Sequence, residues 1–142
     1  MAKRSQLDTL LRIRRIEEDV AKGHLAAANL AVRQAEETLN ARHDAYRQAA
    51  VVGGEAAPAD FLRSRLAGAA MGASIVNAEQ QCARTLAESQ EAGAVVRVAK
   101  MRTQGLERLV DRAAQARVLE MLAADQRTAE ESRAGNRTGG RR

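Results

Sequence analysis

Hydrophobic positions in the first third of the chain recur at alternating spacings of four and three residues. This spacing is typical of the inner seam of a coiled coil, in which two helices bury one stripe against each other. The pattern predicts a helix over about residues 5–50, capped by Ser5 and free of proline. Its predicted seam consists of Leu7, Leu11, Arg14, Glu18, Ala21, Leu25, Ala28, Val32, Ala35, Leu39, Arg42 and Tyr46.

The segment "VVGGEAAPAD" interrupts this pattern and predicts a turn over about residues 51–57. Gly53 and Gly54 can leave a helix through conformations that other residues avoid, and Pro58 suits the first turn of the next helix. The second helix is expected over about 58–133, followed by a disordered basic tail over 134–142. Its predicted seam runs through Leu62, Leu66, Ala69, Ala73, Val76, Ala83, Ala87, Ala94 and Met101, and then shifts register to Leu106, Leu109, Ala113, Ala116, Leu119 and Leu122.

These elements predict an all-α fold: a single domain formed by an elongated antiparallel two-helix coiled-coil hairpin. The second helix is longer than the first, so it should overhang. Folding back at the glycines places Ser5 opposite roughly residue 106 and leaves 107–133 beyond the paired region.

Composition points to a thin core. Of the 142 residues, 45% are hydrophobic, but there is one Phe, one Tyr and no Trp, and alanine supplies much of the apolar fraction. Alanine permits close helix approach but buries little area, so we expect marginal stability.

The formal net charge of +5 is concentrated at the two ends of the chain, whereas the middle is mixed. Arg14 and Glu18 even occupy seam positions, where leucine would pack better. Two interpretations remain open. The ends of a coiled coil fray and tolerate charge, or these residues contact an acidic partner, either ring-shaped or cleft-like.

No residue pattern indicates catalysis, a metal or a cofactor. His24 and His43 are isolated, and the single cysteine, Cys82, has no neighbour at metal-ligand spacing. We therefore expect no enzyme, no cofactor and a cytoplasmic location without membrane insertion. Acidic residues interleave with the basic ones and aromatic platforms are missing, which disfavours nucleic-acid binding.

Two stretches of the sequence resemble the flagellar export protein FliJ family, the coiled-coil stalks of the flagellar type III export ATPase complex. "LDTLLRIRRIEEDVAKGHLAAANLAVRQAEETLNA" is similar to the family's opening Leu-x-x-Leu-Leu-x-x-Arg and its following heptads. "GLERLVDRAAQARVLEMLAADQRTAEESRAGNR" is similar to its C-terminal Leu-Glu-x-Leu and late acidic pair. Where the family tends to have an Asp-Glu pair, this chain has Ala129-Glu130-Glu131. Its second helix is also richer in Gly and Ala than we would expect for the family.

The resemblance implies a non-enzymatic protein that binds the hexameric flagellar export ATPase, promotes its assembly or activity, and links it to the membrane export gate protein. Escort of export chaperones is a further implied role, and peripheral association with the inner face of the cell membrane is the implied location. The expected contacts with the ATPase ring are Leu7, Leu10, Leu11, Arg14, Arg15, Arg108, Arg112, Arg117, Leu119 and Leu122.

Two other functions stay open. A free-standing coiled-coil adaptor or chaperone would need no ATPase partner. A stalk from a virulence-type secretion system would differ only in the machine that it serves.

Overall fold

The chain folds into two long α-helices that pack against each other, as a computed structural model shows. Helix α1 spans Ala2–Val51 and helix α2 spans Pro58–Thr138. The structure describes residues 2–51 and 57–138, with side chains described for 6–50 and 57–137. The predicted all-α antiparallel hairpin with a longer C-terminal helix is confirmed.

The helix boundaries lie close to those expected. The carbonyl of Ala57 accepts hydrogen bonds from the amides of Asp60 and Phe61 at 2.9 and 3.0 Å, so Pro58 begins α2 as predicted. At its other end α2 continues past Arg133 to Thr138, which corrects the expected disorder for residues 134–138. The Ser132 hydroxyl bonds back to the Thr128 carbonyl at 2.9 Å within the continuing helix. The Gly53–Gly54 turn and the last residues of the tail lie outside the described residues.

Contacts divide the hairpin into two compact units. The turn unit comprises residues 17–99, and the terminal unit comprises residues 1–16 together with 100–142. In the turn unit, Asn29 accepts a hydrogen bond from Ser89 at 2.6 Å, and Arg42 donates to the carbonyl of Ser74 at 2.8 Å. In the terminal unit, Thr103 donates to the carbonyl of Arg14 at 3.4 Å. Each unit is therefore an antiparallel pair of helical segments.

The α1 side of the interface follows the predicted seam through most of its length. Every predicted seam position from Leu7 to Leu39 is buried or half-buried, and Ala21 and Ala35 are the most enclosed. Arg42 and Tyr46, at the end of the predicted seam, are exposed. The alternating four- and three-residue spacing thus identified the packing face correctly, charged positions included.

The α2 seam was predicted wrongly. Leu62, Leu66, Val76 and Met101 are exposed, as are Ala69, Ala73, Ala83, Ala87 and Ala94. The buried and half-buried positions instead form an inner seam at regular spacings of three and four. In the turn unit it consists of Met71, Ile75, Ala78, Cys82, Thr85, Ser89, Ala92, Val96 and Ala99, and in the terminal unit of Thr103, Leu106, Val110, Ala113 and Arg117.

The predicted register shift after Met101 is wrong for the same reason. Leu106 and Ala113 do lie on the inner seam, but Leu109, Ala116, Leu119 and Leu122 are exposed. The spacing of the inner seam stays at three and four on either side of this region. The overhang also starts later than expected, since residues 118–137 are exposed whereas Leu106, Glu107, Val110, Ala113 and Arg117 are not.

Alanine and hydroxyl-bearing residues occupy many positions of the inner seam of α2, between larger residues such as Ile75 and Val96. Thr85 is buried, and its hydroxyl donates to the carbonyl of Cys82 at 3.1 Å in its own helix. Such back-bonding lets a threonine occupy a seam without an unsatisfied polar atom. No buried side-chain nitrogen or oxygen lacks a hydrogen-bond partner among the residues described. The alanine, serine and threonine positions of α2 leave room for the leucines of the α1 seam.

Candidate partner-binding site in the terminal unit

All the residues predicted to contact a partner lie in the terminal unit, and the structure separates them into two sets. One set is half-buried between the two helical segments and comprises Leu7, Leu11, Arg14 and Arg117. The other set is exposed and comprises Leu10, Arg15, Arg108, Arg112, Leu119 and Leu122. The first set holds the unit together, so the second is better placed to contact another protein.

The charged residues on the α1 seam have partners within the chain. Arg14 is half-buried, and its backbone carbonyl receives the hydroxyl of the buried Thr103. In the turn unit, the Glu18 carboxylate pairs with Lys22 at 2.7 Å. This hydrogen bond is the main cause that raises the pKa of Lys22; desolvation acts against it, and the charges of Glu18 and Asp19 add to the increase. The pair with Lys22 therefore accounts for Glu18, one of the two charged residues at the start of the seam.

A groove with an apolar floor and basic rims runs along the terminal unit. Leu106 is buried at its floor, while Leu10 and Leu109 form its walls with 41% and 52% of their surface exposed. We call this the basic groove; it is lined by Leu10, Arg14, Arg102, Gly105, Leu106 and Leu109. Leucine walls beside guanidinium groups suit a helix that combines apolar and acidic side chains.

Large apolar side chains continue on the C-terminal part of α2. We call this the apolar ledge; its exposed members are Val118, Leu119, Met121 and Leu122. Val118 and Met121 share a second groove with Leu7, Val110 and Arg117. Soluble chains rarely expose a run of large apolar residues without using it, so the ledge is a candidate contact surface.

The charge around the basic groove is strongly unbalanced. Residues 6–16 and 100–117 carry Arg12, Arg14, Arg15, Lys100, Arg102, Arg108, Arg112 and Arg117, against the carboxylates of Asp8, Glu107 and Asp111. Arg15 pairs with Glu107 at 3.1 Å across the unit. Arg108 and Arg112 are exposed on α2 and make no ion pair with the side chains described. A net positive field of this kind steers acidic partners towards the groove.

Several residues of this surface were not among the predicted contacts. Leu109 was assigned to the seam, although its position next to the inner seam makes it a groove wall instead. Arg102, Val118 and Met121 also line the grooves. Once the inner seam is known, these residues follow from their places beside it, but the sequence pattern alone offered two possible seams.

Other kinds of site find no support in the part of the chain that the structure describes. There, no cluster of three or more His, Cys, Asp or Glu side chains is arranged to hold a metal ion. Neither described helix contains a stretch apolar enough, over sufficient length, to cross a membrane. Comparison with known proteins found no match to this chain among family models, curated proteins or solved structures.

Proposed function

We propose that this protein is a non-enzymatic stalk of the flagellar type III export apparatus, which binds the hexameric export ATPase through its terminal unit. The proposal combines the sequence resemblance, which is carried by the two ends of the chain, with the surface found where those ends meet. The observation that carries it is the basic groove beside the apolar ledge, because the leucine walls of the groove and the side chains of the ledge are exposed in the isolated chain.

The terminal unit offers the two components that strong protein interfaces combine. Leucines provide apolar area, and arginines provide charge-assisted hydrogen bonds to carboxylates. On this proposal an acidic surface of the ATPase ring receives Arg108 and Arg112, while Leu10, Leu119 and Leu122 bury apolar area. Binding several subunits at once would stabilise the ring by mass action and so promote its assembly and ATP hydrolysis.

The remaining roles follow from the same proposal. A hairpin held in the ring at one unit leaves the turn unit available to the membrane export gate, and the complex would lie at the cytoplasmic face of the membrane. Escort of export chaperones is the third role that the resemblance implies.

The test is ATP hydrolysis by the same organism's flagellar export ATPase, with and without this protein, together with co-elution on a sizing column. Arg108→Glu/Arg112→Glu is the informative variant, because neither side chain supports the hairpin. Reversal of Arg15 is less informative, since it would also break the pair with Glu107. We expect the native chain to co-elute and raise the rate, and the variant to lose at least tenfold in affinity, as expected for exposed charges that meet an acidic surface.

Arg33→Glu/Arg65→Glu provides a charge-matched control in the turn unit, where both arginines are exposed and make no ion pair with the side chains described. Equal losses in the two double variants would show that the terminal unit is not the binding site. A helical native chain that neither co-elutes nor stimulates the ATPase would overturn the stalk proposal and favour a coiled-coil adaptor or chaperone.

A further inference from the structure

Helix α2 carries a second row of apolar and amide side chains on the side facing away from α1. We call this row the outer stripe; it consists of Leu62, Leu66, Ala69, Ala73, Val76, Gln80, Ala83, Ala87, Gln90 and Ala94, all exposed in the turn unit. Their spacing alternates between four and three without interruption, as on the inner seam. The two rows lie about 150° apart around the helix axis, given heptad geometry.

The outer stripe contains no charged residue from Leu62 to Ala94, a length of about 50 Å at 1.5 Å per residue. The outward positions of a solvated coiled coil are ordinarily charged, because these positions face water. Here the exposed faces of Leu62 and Leu66 are accompanied only by alanines, a valine and two glutamines. The stripe thus has the composition and the spacing of a second coiled-coil seam.

We propose that the outer stripe pairs with the outer stripe of a second copy of this chain, with the two α2 helices parallel and in register. The glutamines favour this arrangement. In a parallel in-register pair, Gln80 meets Gln80 and Gln90 meets Gln90, so that each amide can hydrogen-bond to its equivalent. An antiparallel pair centred on the stripe would instead place Gln80 against Val76 and Gln90 against Leu66, burying amides against apolar side chains.

Charges beside the stripe favour the same orientation. Glu79 and Arg84 lie on its two flanks, five residues apart. In a parallel coiled coil such positions face each other across the interface, so Glu79 of each copy would pair with Arg84 of the other. By two-fold symmetry this gives two ion pairs. Neither residue makes an ion pair with the side chains described in the single chain.

The small size of alanine sets the expected strength. Leu62, Leu66 and Val76 supply most of the apolar area, and the alanine layers add close contact but little burial. We therefore expect a weak dimer, with a dissociation constant on the order of 10–100 µM. This pairing uses only the turn unit and is independent of any ATPase binding by the terminal unit, so either proposal can fail alone.

Sedimentation equilibrium of the full chain over a concentration series tests the pairing. Val76→Lys places a charge in the stripe, whereas Val95→Lys makes the same change on an exposed valine about 130° around the helix from it. We expect native and Val95→Lys chains to dimerise alike, and Val76→Lys to weaken the dimer at least tenfold, since an unpaired lysine is costly to bury. A native chain that stays monomeric to millimolar concentration, or equal effects of the two variants, would overturn the proposal.

Disulfide formation tests the orientation. In Cys82→Ala/Ala83→Cys the only thiol lies on the outer stripe, and parallel in-register pairing brings it beside its equivalent. We expect mild oxidation of this variant to give a disulfide-linked dimer. The control Cys82→Ala/Val95→Cys should give much less of the linked dimer. A mixture of Ala73→Cys and Ala83→Cys chains, both made in Cys82→Ala, tests the opposite orientation. If this mixture cross-links rapidly while Ala83→Cys alone gives little disulfide, the pair is antiparallel and the parallel arrangement is overturned. Circular dichroism at low concentration confirms that each variant is folded.

Discussion

The two faces of α2 in the turn unit differ in a way that simple hydrophobicity would not suggest. The inner seam, which packs against α1, contains alanines together with Cys82, Thr85 and Ser89. Large apolar side chains occur on both faces, and those of the outer stripe, such as Leu62 and Leu66, are 61% and 63% exposed. In a thin two-helix fold, alanine and hydroxyl-bearing side chains can occupy the buried seam because they let the helices approach closely. Large apolar side chains on the opposite face then remain for another partner.

The sharpest way to test this contrast is to place the same charge on adjacent valines. Val96 is 6% exposed and Val95 is 58% exposed. Val96→Lys should lower the free energy of unfolding by about 3 kcal/mol, because it buries a charge in the inner seam. Val95→Lys should change it by no more than about 0.5 kcal/mol, as for an ordinary surface substitution. Thermal unfolding by circular dichroism measures both, and equal destabilisation would remove the distinction between the faces.

Enlarging an alanine should have opposite consequences on the two faces. Ala78 is buried in the inner seam, so Ala78→Leu should force the helices apart and cost about 1–3 kcal/mol. Ala83→Leu adds the same atoms to the outer stripe. It should leave the monomer's unfolding midpoint unchanged at low concentration and tighten self-association at high concentration. Denaturant titrations at two protein concentrations separate these effects, and a destabilised Ala83→Leu monomer would contradict them.

The ion pair across the terminal unit should contribute less than either packing change. Arg15 and Glu107 are 60% and 41% exposed, so solvent screens their attraction. A double-mutant cycle with Arg15→Ala and Glu107→Ala should give a coupling energy of no more than about 0.5 kcal/mol, declining with added salt. A coupling well above about 1 kcal/mol, the upper range for exposed pairs, would show that this pair, rather than the seam, holds the terminal unit together.

The smallest expected effect is a dependence of stability on alkaline pH. Pairing with Glu18 raises the pKa of Lys22 above its ordinary 10.5. The stabilisation is therefore fully present below pH 10.5 and is lost as the pH rises through the raised pKa. Native protein and Lys22→Met should differ in unfolding midpoint at neutral pH and converge in strong alkali. A difference that persists above that pKa would exclude the ion pair as its cause.

The sequence predicted the helices well because proline and glycine mark the turn and the remaining residues are good helix formers. It also predicted the α1 face through Leu39, since only one row of α1 has sustained heptad spacing. On α2 both rows have that spacing, and the prediction selected the outer row instead of the inner seam. The predicted partner contacts all lie in one unit, but on α2 the division between half-buried Arg117 and exposed Leu119 depends on the seam, which the sequence pattern left open.

Disulfide trapping between the helices tests the central claim most directly. The pairs Asn29–Ser89 and Arg42–Ser74 fix a register that places Ala35 level with Cys82. We predict that Ala35→Cys forms an intramolecular disulfide with native Cys82 under mild oxidation at low protein concentration. Moving the second thiol by one residue, in Ala35→Cys/Cys82→Ala/Ala83→Cys, should abolish it. A disulfide in this shifted variant, with none in Ala35→Cys alone, would mean that α1 packs on the outer stripe, contrary to this structure.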